Sequence, residues 1–168
     1  MYTVIEGGVT AAAGFETAST AAGIKYKNRK DMAMIYSEKP CRAAGTFTTN
    51  IVKAAPVKWD QKIVKESEYA QAVVINAGIA NACTGAEGMG YCAETAQAAS
   101  AALNIPESAV LVASTGVIGM QLPMEKLKAG IAVMAPELSG TMESGTEAAK
   151  SIMTTDTKKK EAAVQFEV

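Results

Sequence analysis

Apolar and polar positions alternate along this chain in two distinct rhythms, and the changes of rhythm mark its elements. A weak strand is predicted over residues 3–6, followed by a Gly- and Ala-rich loop over residues 7–15. Two strands are expected at residues 32–36 and 45–49, separated by a turn around Lys39 and Pro40 and closed by Asn50. Residues 58–68 are charged, with Ile63 and Val64 on one side, and read as a surface helix. Ala72-Val-Val-Ile75 reads as a buried strand ending in a long Asn- and Gly-containing loop. Residues 91–103 carry Cys92, Ala96, Ala99 and Leu103 at helical spacing, and Asn104-Ile-Pro106 ends that helix.

The second half repeats the alternation. A strand is expected over residues 109–113, broken abruptly by Ser114, Thr115 and Gly116. Pro123 suits a helix start, and Met124, Leu127, Ile131 and Met134 give that helix an apolar stripe, better read as core than as a cofactor pocket. Ser144-Gly-Thr-Glu147 fits a capping box opening a further helix through Ile152. In the last stretch Ala162, Val164, Phe166 and Val168 share one face of a strand, with Ala163, Gln165 and Glu167 on the other. A strand ending there without a partner would expose a row of unpaired backbone groups, so the chain reads as an incomplete piece of a longer product. Strands alternating with helices predict an α/β fold, a layered sheet-and-helix domain spanning residues 1–168 as one unit. No internal repeat, low-complexity segment or interdomain linker is evident.

Composition narrows the chemistry. Of 168 residues, 49% are hydrophobic and 20% charged, the balance of a soluble globular protein, and the 5% of aromatics implies a core of small, closely packed side chains. A net charge of −1 gives no support for a nucleic-acid or anionic-membrane partner. No apolar run reaches the ~20 residues needed to span a bilayer, and the N-terminus lacks the features of a signal or transit peptide, which predicts a cytoplasmic protein. Cys41, Cys83 and Cys92 have no C-x-x-C spacing and read as free thiols rather than disulfides or a zinc site. Histidine is absent, which excludes Ser-His-Asp and Cys-His catalysis within this chain and removes the commonest metal ligand. Cys83 has no visible cationic neighbour that would activate it. The Gly-rich loop matches neither phosphate-cradling pattern.

One stretch invites a chemical reading. Thr115 and Gly116 follow a buried apolar run, and Gly116 can adopt backbone angles closed to other residues. Consecutive N–H groups could then be aimed into one concavity beside the Thr115 hydroxyl, as a tetrahedral oxyanion requires. An ordinary strand-to-loop turn explains the same residues. Asn76 and Asn81 could line a site or satisfy loop backbone groups.

Five segments in order and register resemble one family: Gly-Val-Thr-Ala-Ala-Ala-Gly-Phe at 8–15, Phe-Thr-Thr-Asn at 47–50, Asn-Ala-Gly-Ile-Ala-Asn-Ala-Cys-Thr-Gly at 76–85, Ser-Thr-Gly-Val-Ile-Gly at 114–119 and Ile-Met-Thr-Thr-Asp at 152–156. The family is ornithine acetyltransferase, also called glutamate N-acetyltransferase, of the cyclic arginine pathway. The resemblance implies a precursor that cleaves itself into α and β chains and frees a β N-terminal threonine as nucleophile. That threonine takes acetyl from N-acetylornithine and passes it to glutamate, with acetyl-CoA a further donor in some members. The threonine's own α-amine can serve as base, so the lack of histidine is compatible with the chemistry. The implied assembly is an α₂β₂ heterotetramer without a cofactor or metal.

This chain resembles the α portion only. The Lys-Gly segment and Ala-Thr cleavage point of the family do not occur in it, so it is expected to be inactive alone. By the resemblance, Thr115 and Gly116 form the oxyanion hole and Thr154 contacts the amino-acid substrate, with Thr155 one position away as the alternative; Asn76, Asn81 and Cys83 are motif members without an assigned role. The competing readings are a related self-processing aminopeptidase or amidohydrolase, and a non-catalytic fragment.

Overall fold

A mixed four-stranded sheet supports the rest of the molecule. The structure, a computed structural model, describes residues 1–167. Its strands are β1 (Tyr2–Ile5), β2 (Phe15–Thr20), β3 (Met32–Cys41), β4 (Ala70–Ile79), β5 (Val110–Val117) and β6 (Ala163–Phe166). Its helices are α1 (Ala55–Glu66), α2 (Glu87–Leu103), α3 (Met124–Met134) and α4 (Met142–Ser151). Strand order in the large sheet is β2-β3-β4-β5; only β4 and β5 run parallel, joined by a crossover through α2. This α/β layering agrees with the expectation from periodicity.

The two faces of the sheet are covered unequally. Met32 and Met34 of β3, Ala72 and Val74 of β4, and Val110 of β5 form the main core with α2 and α3. Ala96 and Ala99 let α2 approach closely, while Leu127, Ile131 and Met134 fill the space beneath α3; each of these five is at most 1% exposed. On the opposite face α4 packs over β2 and β3, above Ala33 and Ile35. The part of that face made by Val73, Ile75, Leu111 and Ala113 remains half-buried.

Several local expectations are corrected. The residues at 45–49 form no strand, because no neighbouring strand pairs with them. Their polar groups bond locally instead: the Asn50 N–H donates to Thr48 Oγ1 at 3.2 Å and the Val52 N–H to Asn50 Oδ1 at 2.9 Å. Lys39 and Pro40 lie inside β3 rather than in a turn. The pairing with β4 slips between Tyr36 and Cys41, and a proline in such a bulge has no ladder hydrogen bond to donate. A Thr-rich strand, β2, forms where the pattern marks no element; it pairs with β3 from Phe15↔Ser37 to Thr20↔Met32.

Helix α4 starts before the expected box, since Thr141 caps it by accepting the Ser144 N–H. The last strand has a partner: β6 pairs antiparallel with β1, Tyr2 opposite Phe166 and Val4 opposite Val164. Those four side chains are all more than half exposed, an apolar stripe on a two-stranded ribbon. Val168, assigned by the alternation to the face of Phe166, lies outside the described residues.

Candidate active site at the end of the parallel strands

In open α/β sheets, ligand sites form beyond the carboxyl ends of parallel strands. Here that end is shared by Asn76–Ile79 of β4 and Ser114–Val117 of β5, contrary to the expectation that this strand ends at Ala113. The ladder runs on through two glycines that face each other across the strands, Gly78 and Gly116. Gly78 has φ +112° and Gly116 φ +131°, and a Cβ on Gly116 would lie 2.3 Å from the Gly78 carbonyl carbon and oxygen. This approach requires glycine at position 116, whereas a Cβ on Gly78 would meet Lys25 and Tyr26 instead.

The orientation of the β5 amides follows from bonds at either end. Ala80 donates to the Val117 carbonyl at 2.8 Å, while the Val112 N–H and Val110 C=O bond away from β4, to Asp60 and Trp59. In a parallel ladder the residues alternate, so Thr115 turns its N–H towards β4 whereas Ser114 and Gly116 turn theirs to the open edge. Consecutive N–H groups therefore do not converge, which corrects the expected geometry. The donors left are the Gly116 N–H, on an exposed residue, and the Thr115 hydroxyl, which makes no hydrogen bond to any described residue. Thr115 is half-buried and shares the open sheet face with Ala113 and Ile75.

A polar network on the core face holds this end. The Ser114 hydroxyl donates to Asn76 Oδ1 at 2.6 Å and accepts the Asn81 N–H at 3.0 Å. Asn76 Nδ2 donates to the Ile79 carbonyl at 2.8 Å, Asn81 Nδ2 to the Gly88 carbonyl at 2.8 Å, and the Thr84 hydroxyl to Asn81 Oδ1 at 2.7 Å. Asn76, Asn81 and Thr84 are buried, and each satisfies groups that the turn from β4 to α2 would leave unpaired. Both asparagines thus serve the loop backbone. They also clamp it to the residue preceding Thr115.

Further back, α1 closes the same edge. Trp59 Nε1 donates to the Val110 carbonyl at 3.0 Å and the Val112 N–H donates to Asp60 Oδ1 at 2.9 Å. Edge groups are satisfied up to Val112 and open beyond it. Burial pushes the Asp60 carboxyl from 3.8 up to about 6, opposed by the Val112 hydrogen bond, and burial followed by the nearby Asp60 charge pushes the Cys92 thiol up to about 12. Such a thiol stays protonated and is a poor nucleophile. Because native Asp60 holds its proton more tightly than the unfolded chain does, its stabilising contribution is complete below pH ~3.8 and lost as pH rises through about 6. Asp60→Asn keeps an acceptor for Val112 and removes the charge. It should raise stability at pH 8 by about 1 kcal/mol, discounted for partial exposure, with the gain vanishing at pH 4; paired thermal melts at the two pH values check this.

Thr154 lies in the loop after α4 and is half-buried, with Thr155 exposed beside it. The connection between Thr154 and the β4/β5 end is made by the β2–β3 loop, residues 21–31, which no sequence pattern singles out. Asp31, fully buried, shapes that loop by accepting the N–H groups of Ala22 at 2.8 Å, Gly23 at 3.3 Å and Ile24 at 2.6 Å. An Asp just before an apolar strand is the only sequence trace of this role. Cys83 is exposed, at φ +55°, in the loop after β4.

A groove of about 550 Å3 is lined by Trp59, Glu66, Tyr69 and Glu107 at the other end of β4 and β5, away from these residues. A smaller cavity of about 200 Å3 beneath α4, bounded by Ile35, Ile75 and Ala148, opens on the sheet face that carries Thr115. Among the described residues no cluster of His, Cys, Asp or Glu could hold a metal ion, and no helix is long and apolar enough to cross a membrane.

Residues 16–168 match the model of the ArgJ family. The arginine biosynthesis bifunctional protein ArgJ of Symbiobacterium thermophilum is 50% identical over 166 residues, covering 98% of this chain and 40% of that protein. The crystal structure of ornithine acetyltransferase of Mycobacterium tuberculosis complexed with ornithine is similar with a TM-score of 0.93 at 44% identity, covering 98% of this chain and 88% of that one. That of the arginine biosynthesis bifunctional protein ArgJ of Bacillus halodurans gives a TM-score of 0.92 at 37% identity, covering 98% and 85%. The chain spans about 40% of the length of the curated relatives it matches.

Proposed function

The chain belongs to the ArgJ family, and from that premise we propose that it is the α portion of an acetyltransferase of arginine biosynthesis, moving acetyl from N-acetylornithine to glutamate. The observation that carries the reading is the pair of unspent donors, the Thr115 hydroxyl and the Gly116 N–H, at the open edge beyond the parallel strands. In the proposed reaction a threonine at the N-terminus of a separate β portion attacks the acetyl carbonyl. Negative charge then grows on the carbonyl oxygen, and the two donors stabilise it without reorganising. Collapse of the tetrahedral intermediate releases ornithine and leaves acetyl-threonine; glutamate attacks that ester in the second half-reaction, through the same oxyanion site. Thr154 contacts the amino-acid part of the substrate.

The β portion supplies nucleophile and base, which fits a chain without histidine. Two surfaces suit its docking: the half-buried apolar sheet face around Ile75 and Ala113, and the exposed stripe of Tyr2, Val4, Val164 and Phe166. The complete enzyme is proposed to be a cytoplasmic α₂β₂ assembly without a cofactor, with acetyl-CoA as a second donor.

The test is to produce this chain with and without the remaining portion carried by its relatives and to supply acetylornithine and glutamate. Acetylglutamate and ornithine in equal amounts from the pair, and none from the chain alone, support the proposal. Net hydrolysis without transfer would replace it with an amidohydrolase, and inactivity of a well-assembled pair with a non-catalytic polypeptide.

A further inference from the structure

The segment bearing Thr154 has little of its own to hold it in place. Met153 donates back to the Lys150 carbonyl at 3.3 Å at the end of α4, and Asp156 pairs with Lys160 four residues further on. Among the described hydrogen bonds, one ties residues 153–157 to another part of the fold. The Arg29 guanidinium donates to the Met153 carbonyl.

Arg29 is itself held. Its guanidinium lies over the Tyr26 ring, 4.2 Å from the centroid, the stacked arrangement that a planar cation favours. Tyr26 and Lys25 in turn rest on Gly78, where a Cβ would lie 3.2 Å from the Tyr26 ring and 2.9 Å from Lys25 Cβ. Gly78 is the residue against which Gly116 packs. A continuous line of contact therefore runs from Gly116 through Gly78, Tyr26 and Arg29 to Met153, next to Thr154. No carboxylate lies within ion-pair distance of Arg29 among the described residues, so its partners are an aromatic ring and a backbone carbonyl. That choice fixes direction and distance more than charge.

We infer that Arg29, stacked on Tyr26, is a positioning residue that holds the Thr154 segment at a set distance from the Thr115–Gly116 end of the sheet, and so sets how the amino-acid part of the substrate is seated. It rests on the proposed function for its substrate consequence, though not for the clasp itself. An aliphatic ammonium cannot stack flat on the ring while donating to a fixed carbonyl, so Arg29→Lys should fail where Tyr26→Phe, which keeps the ring, succeeds.

Two measurements on the complete enzyme separate the parts of this inference. Hydrogen exchange should be about tenfold faster for the amides of residues 153–157 in Arg29→Ala, Arg29→Lys and Tyr26→Ala, unchanged in Tyr26→Phe, and unchanged in the β4–β5 ladder of all four. The KM for acetylornithine should rise about tenfold in the same three variants, with kcat within twofold. Exchange at 153–157 that does not respond overturns the clasp, whatever the kinetics. Faster exchange with an unaltered KM keeps the clasp and overturns the assignment of Thr154 to the substrate. A fall in kcat alone, with protection lost across the ladder, would mark a merely structural role and also overturn the inference.

Discussion

Replacing Gly116 with alanine should destabilise this protein by about 3–5 kcal/mol, the sum of two separable costs. The first is conformational: at φ +131° an L side chain is strained by roughly 1–3 kcal/mol. The second is steric, because the new methyl would meet the Gly78 carbonyl carbon and oxygen at 2.3 Å and the Ile79 nitrogen at 2.7 Å. Those atoms are backbone in a central strand, and they cannot swing aside as the end of a flexible side chain could. For a chain of this size the loss corresponds to about 6–20 °C in melting temperature. Gly119 provides the control. It has φ +77°, but a methyl group there would meet nothing within 4 Å, so Gly119→Ala should show only the strain. Equal melting temperatures for the two variants would mean that the Gly78–Gly116 approach contributes nothing.

The second large effect concerns rate rather than stability. Thr115→Val in the complete enzyme should slow the acetyl-transfer step by about a hundredfold, equivalent to ~3 kcal/mol for one lost oxyanion donor. Stability should stay within about 0.5 kcal/mol, since valine has the same shape, suits an edge strand, and leaves no described partner unpaired. That separation of rate from stability makes the variant informative. The loss should appear in kcat and kcat/KM alike, because the hydroxyl is proposed to act on charge present only in the transition state. Turnover near the unsubstituted level would remove Thr115 from the mechanism.

Much of the fold can be read along the chain. The stripe of Met124, Leu127, Ile131 and Met134 announces α3, and all four side chains are buried. The run of Ala72, Val73, Val74 and Ile75 announces a strand that proves to be central. These succeed because a repeated apolar spacing matches one element whatever surrounds it. Residues 45–49 fail for the converse reason: β-forming residues make a strand only where another strand accepts them. The capping box at Ser144 fits the consensus, but Thr141 occupies the cap first and draws the Ser144 N–H to itself. At the candidate site, Thr115 and Gly116 are visible as a strand-end Thr-Gly pair, whereas Tyr26, Arg29 and Asp31 sit in a polar loop with no periodicity to mark them.

The order of elements from α1 onward, the alanine- and methionine-rich core and the absence of an imidazole base follow from the residues alone, because each depends on side-chain type and local spacing. What the folded chain alone decides is which backbone groups remain available. Whether a given N–H is spent in a ladder depends on the register of a strand nearly forty positions away, a register that holds from Ala72 opposite Val110 to Ile79 opposite Val117. The same register turns Thr115 to the open face and the Gly116 N–H to the open edge, a result that no local pattern encodes because it belongs to the pairing and not to either strand.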